Sequence, residues 1–189
     1  MRWTRWTAMT AVVATLAALT SLSCSNSQKS GEMTAAEKVA RGKYLVSVIG
    51  CNDCHTPGAF YGASDTTRFL SGSELGWVGP WGVAYAANLT SDPETGLGTW
   101  SEDQIVAAIR TGARPDGRPL APIMPWIDFA NLTDADAHSI AAYLMTLPAV
   151  KHQVPKIVPP GEKLPAGTIA FPPPPAWDAQ SLPKPPGSK

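Results

Sequence analysis

Apolar residues return at helical spacing in three stretches of the chain. In the first, Val39, Gly42, Val46 and Ile49 fall on one face, with Leu45 beside them. Thr34 and Glu37 stand three residues apart just before it, the pattern of a capping box. The second stretch carries Ile105, Val106 and Ile109 after "SEDQ", again a cap followed by a glutamine, and Gly112 stands where a helix would end. In the third, Ala137, Ile140, Ala141, Leu144 and Leu147 line one face behind Thr133, and Pro148 stops it. Period-two alternation is confined to a short piece near "GVAYAANL". The pattern therefore predicts an all-α chain of three main helices joined by long irregular loops.

Two segments lie outside that pattern. The chain of 189 residues opens with Arg2 and Arg5, an apolar run "TAMTAVVATLAALTSL" and the closing "SCS". This run is too short and too rich in Ala and Thr for a comfortable span, so residues 1–23 read as an export signal. Ser21-Leu22-Ser23-Cys24 resembles a bacterial lipobox, which makes Cys24 a candidate lipidation site and residues 24–33 a flexible tether. Ordinary cleavage nearby is the alternative. At the other end, 11 of the 41 residues from position 149 onward are proline, a polyproline-prone extension over 149–189. The globular domain is expected over 34–148.

Charge adds little. Charged residues make up 16% of the chain and balance to zero, and removing residues 1–23 leaves a formal −2. No basic excess points to nucleic acid.

The chemistry concentrates in "IGCNDCHTPG", where Cys51, Cys54 and His55 stand together. A structural zinc site needs a second pair of ligands, and His138 and His152 are isolated. A redox dithiol belongs in an α/β unit, which the pattern does not predict. CxxCH behind an export signal instead fits one covalently attached haem c, with Cys51 and Cys54 bonded to its vinyl groups and His55 as an axial ligand of the iron. Among the methionines, Met124 lies in "RPDGRPLAPIMPW", a loop stiffened by prolines 115, 119, 122 and 125, and is the candidate sixth ligand. His138 or His152 is the alternative ligand, against a plainer reading of both as solvated side chains. Met145 reads as packing.

These residues resemble class I c-type cytochromes, in which an N-terminal helix leads into CxxCH and a C-terminal helix crosses the first. "RGKYLVSVIGCNDCHTPG", "NLTSDPETGLGTWSEDQIVAAIRTG" and "IMPW" resemble the cytochrome c subunits associated with bacterial periplasmic alcohol or sugar-acid dehydrogenases. The resemblance implies a cytochrome c fold and places Gly42 at the helix crossing, facing Ala141, Tyr143 and Leu144. It implies an electron carrier with redox partner proteins and no small-molecule substrate, on the periplasmic side of a membrane. Those subunits carry several haems, whereas CxxCH occurs once here, which favours a single-haem carrier. A docking subunit of a dehydrogenase complex and a haem enzyme or sensor with an open sixth site are the other readings. Trp81 and Trp100 read as core, Asn88 as a propionate partner or an Asx-turn, and Arg110, Arg114 and Arg118 as propionate or partner contacts or a solvated face.

Overall fold

The three helices form where their caps place them. The computed structural model describes residues 33–165 and 167–170. Helix α1, Ala35–Val48, starts at Thr34, whose hydroxyl accepts from the Glu37 amide while Glu37 reaches back to the cap. A five-residue helix α2, Cys51–His55, follows the left-handed Gly50. Helix α3, Glu102–Thr111, carries the same reciprocal cap between Ser101 and Gln104 and ends at left-handed Gly112. A short α4, Trp126–Phe129, precedes α5, Asp134–Met145, capped by Thr133. Met33 aside, the described residues lie in one compact unit beginning at Thr34.

Helix α1 packs on α5, and α3 packs on α5 from the side. Leu45, Val46, Ile105, Ile109, Ile140, Ala141, Leu144 and Leu147 make the shared core, each worth up to about 1.5–3 kcal/mol for its larger aliphatic side chains. The crossing point is Gly42: a Cβ there would lie 1.8 Å from the Ser139 carbonyl oxygen and 2.8 Å from the Tyr143 Cβ. The expected contact with Tyr143 is present, and the closest approach is to Ser139, a residue that the apolar pattern passes over.

The all-α expectation does not hold. Strands β1, Gly76–Gly79, and β2, Gly82–Tyr85, form an antiparallel hairpin, and β3, Thr168–Ala170, joins β1 in parallel to give the order β2-β1-β3. The short alternation near "GVAYAANL" falls on β2, whereas β1 and β3, four and three residues long, leave no such pattern. The pairing of Gly76 with Thr168 joins distant parts of the chain, and no local pattern announces it. The long connection between α2 and α3 is therefore built rather than structureless. It holds this hairpin and two 3-10 turns, Ala59–Tyr61 and Thr66–Arg68.

Beyond Pro148 the chain lies against that connection. Val83 and Val158 exchange both backbone hydrogen bonds, at 2.8 and 3.1 Å. The expected export signal, the candidate lipidation site Cys24 and residues 171–189 of the proline-rich extension lie outside the described residues. Among the described residues, no helix is long and apolar enough to cross a membrane.

Candidate functional site

Helix α2 is barely more than one turn, and its spacing defines the site. Cys54 and His55 stand three and four residues after Cys51, so the three side chains share one side of the turn. Both cysteines are free thiols and half-buried. Burial pushes the Cys51 thiol up to about 11, and burial with the Asp53 charge pushes Cys54 up as well. As unmodified thiols they are poor nucleophiles at neutral pH.

His55 is buried and firmly seated. Its Nδ1 lies 2.7 Å from the Ala87 carbonyl oxygen, and a carbonyl can only accept, so Nδ1 carries the proton. Burial lowers the pKa of the ring, against a smaller opposing effect of the Ala87 bond, so the imidazole is neutral. Nε2 then presents a lone pair and makes no hydrogen bond among the described residues. This is the state of a metal-ligating histidine, oriented through its other nitrogen. The backbone is held too: the His55 carbonyl accepts from the Gly72 amide at 2.8 Å, and Thr56 Oγ1 accepts from the Leu70 amide at 2.8 Å.

Met124 is half-buried on a turn between α3 and α4. Its amide donates to the Ala121 carbonyl at 3.0 Å, and its carbonyl accepts from the Trp126 amide at 2.7 Å. The loop is tied at its base, where the Leu120 amide donates to the Gly112 carbonyl at 2.8 Å and Ala113 bridges Pro119. The stiffness expected from the prolines is thus joined by hydrogen bonds.

Two buried donors near this loop have no aligned hydrogen bond: Arg114 Nε and Trp126 Nε1. The nearest carboxylate oxygen to Arg114 Nε is Asp116 Oδ1, at 3.4 Å. Trp126 packs on Gly112, where an added Cβ would meet its indole at 2.9 Å. Orphaned buried donors are costly, and acidic groups of a bound cofactor would satisfy them. Two thiols and a lone-paired imidazole on one helical turn are a set that could hold a haem joined by two thioethers. Trp126 is a feature that motif reading did not single out.

The other candidates have other partners. His138 Nδ1 lies 2.6 Å from Glu102 Oε1, joining α5 to α3. His152 is 12% exposed, with Nδ1 2.8 Å from the Ser71 carbonyl oxygen and Nε2 2.9 Å from Glu74 Oε1. Neither is simply solvated. Asn88 is buried and forms the Asx-turn, accepting from the Thr90 amide at 2.9 Å and donating to the Val150 carbonyl at 2.8 Å. Arg110 pairs with Asp134, and Arg118 with Asp116. Arg114 stacks over Trp100, with its Cζ 5.5 Å from the ring centre. Trp81 donates from Nε1 to the Trp77 carbonyl at 3.1 Å.

No family model matches the chain. Curated proteins do. The chain is 35% identical over 107 residues to the cytochrome c subunit of the quinone alcohol dehydrogenase of Gluconobacter oxydans, covering 57% of this chain and 21% of that protein. It is 35% identical over 123 residues to the fructose dehydrogenase cytochrome subunit of Gluconobacter japonicus, covering 62% and 24%. The chain resembles dehydrogenase cytochrome c subunits. A nicotinate dehydrogenase subunit of Pseudomonas putida matches at 34% over 126 residues, 64% of this chain and 10% of that protein. The cytochrome c-like chain thus spans about a quarter or less of the length of these relatives.

Proposed function

We propose that the chain is a single-haem c-type cytochrome that carries electrons on the periplasmic side of a bacterial membrane, from a dehydrogenase or respiratory donor to a downstream acceptor. The observation that carries this reading is the seat of His55: proton on Nδ1, lone pair on Nε2, and two free thiols on the same helical turn. Cys51 and Cys54 would form the thioethers, and His55 would ligate the iron. Met124 would be a second protein ligand of the iron, on a loop stiff enough to keep a weak ligand in place. When bound, a haem supplies a one-electron Fe(III)/Fe(II) couple.

The rest of the work falls to the chain. Ala87 fixes the imidazole tautomer and raises its donor strength. Arg114 Nε and Trp126 Nε1 would be available to acidic groups of the cofactor. No substrate other than electrons is needed, so the chain acts as a carrier and performs no bond chemistry. Lipid on Cys24 would hold it at the membrane surface.

A second reading is favoured by the names of the relatives, which are subunits: the chain would dock in a dehydrogenase complex rather than diffuse. One preparation tests both. The full chain is expressed with export and haem attachment, then denatured and its haemochrome spectrum taken. One haem per chain that stays with the polypeptide, and a reversible one-electron titration, are expected. A colourless chain, or high-spin ferric haem that binds small ligands without displacing a protein ligand, would sink the carrier reading. Recovery as a stable complex with a dehydrogenase would select the docking form.

A further inference from the structure

Two loop segments seat His55. One is residues 70–73: the Gly72 amide holds the His55 carbonyl, and Leu70 is bonded to Thr56. The other is residues 86–89, which supplies the Ala87 acceptor. The two are joined to each other, Ser73 amide to Ala86 carbonyl at 3.1 Å and Leu89 amide to Leu70 carbonyl at 2.9 Å.

The first segment is strained. Leu70 has φ of 57° although it carries a side chain, and Leu70 is fully buried. Such a conformation costs on the order of 1–3 kcal/mol and persists only where its surroundings over-determine it. Thr56 and Leu89 hold Leu70 itself, and the chain beyond Pro148 holds the two residues after it. His152 Nδ1 donates to the Ser71 carbonyl at 2.8 Å, and its Nε2 faces Glu74. Val154 lies so close to Gly72 that a Cβ there would meet its Cγ1 at 2.5 Å.

The same stretch also grips the second segment. Asn88, next to Ala87, donates from Nδ2 to the Val150 carbonyl at 2.8 Å and to Thr95 Oγ1 at 2.9 Å. Thr95 Oγ1 in turn accepts from the His152 amide at 3.1 Å. Residues 150–154 therefore bridge both halves of the histidine seat, while the imidazole itself is bonded to Ala87.

We infer that the segment following Pro148 is a positioning strap for the axial histidine, with His152 as its clamp. This rests on the haem reading above. Releasing the clamp loosens residues 70–73, lets Ala87 drift from Nδ1 and makes the imidazole a weaker donor. A weaker donor stabilises Fe(III) less, so reduction becomes easier.

The test uses full-length holoprotein equilibrated with a redox mediator. Replacing His152 by Leu fills the space and removes both nitrogens. The equilibrium constant for reduction is expected to rise roughly threefold or more, a smaller effect than the tenfold or greater loss typical when a direct outer-shell partner is removed. Gly72 amide exchange is expected to quicken in parallel. H152N, which restores a donor towards Ser71, returns both readouts towards wild type. K151A, which breaks the exposed Lys151–Glu94 pair on the same strap, leaves both unchanged. An H152L constant that is unchanged or lowered, even with a lower melting temperature, overturns the inference. If H152L does not accumulate, the isosteric T95V cuts the Asn88 and His152 bonds together, along with the Thr95 bond to Asp92, and is read by the same criteria. A wild-type chain without covalent haem defeats the haem reading and the strap together. A pigmented wild type with an unmoved H152L defeats the strap alone.

Discussion

The backbone of Gly42 lies directly against the carbonyl of Ser139, where a Cβ would come within 1.8 Å of the oxygen. Only hydrogen fits, so the residue sets the separation of α1 and α5. Gly42→Ala gains helix propensity but forces the helices apart. The expected net cost is about 2–3 kcal/mol or more, the upper range for overpacking. For a unit of this size that lowers the melting temperature by roughly 5–10 °C. Thermal denaturation of the two proteins checks it, and an unchanged midpoint would refute the close crossing.

Asn88 ties three loop segments together while 1% exposed. Asn88→Ala leaves the Val150 carbonyl and the Thr90 amide short of partners. A loss of about 3 kcal/mol is expected, from desolvated groups left unpaired. Asn88→Asp costs more, because an oxygen would replace the donor that faces the Val150 carbonyl. Urea unfolding of the three proteins should rank them in that order.

Met124 and Met145 divide a single question. If Met124 ligates iron, Met124→Ala lowers the reduction potential, since a thioether favours the ferrous state, and opens the site to added imidazole. Met145 is 48% exposed on α5, and Met145→Ala should leave spectrum and potential as they were. The opposite assignment of effects would move the sixth ligand elsewhere.

Acid should act through the surface carboxylates. Hydrogen bonds from Thr67 and Arg68 hold Asp65 down at about 2, and Arg68 pairs with it at 2.8 Å. The Arg118 guanidinium holds Asp116 at about 2 in the same way. Both lie below the ordinary value of 3.8. A depressed folded pKa means stability that is fully present above about pH 4 and is lost as pH falls towards 2. D65N and D116N should each lower the melting temperature modestly at pH 7 and converge with the parent towards pH 2, which flattens the decline across that window. An equally steep decline in both variants would show that other groups govern acid unfolding.

The helices and the cysteine turn were legible in the sequence because they are local. Thr34 with Glu37 and Ser101 with Gln104 mark starts within one helical turn, and Cys51, Cys54 and His55 fall on one side by spacing alone. Of the sheet only β2 was marked, by the short alternation at Gly82–Tyr85, since Gly76 pairs with Thr168 through backbone groups that every residue possesses. The acceptor for His55 is likewise a backbone carbonyl, and nothing about an alanine at position 87 marks it in advance. His152 looked like an isolated surface residue until the chain beyond Pro148 folded back and set it between Ser71 and Glu74. The sequence by itself determined the helix starts and the spacing that brings Cys51, Cys54 and His55 together. Only the tertiary structure decided what holds them, because those contacts join distant segments by main-chain hydrogen bonds, which leave no pattern in the order of residues.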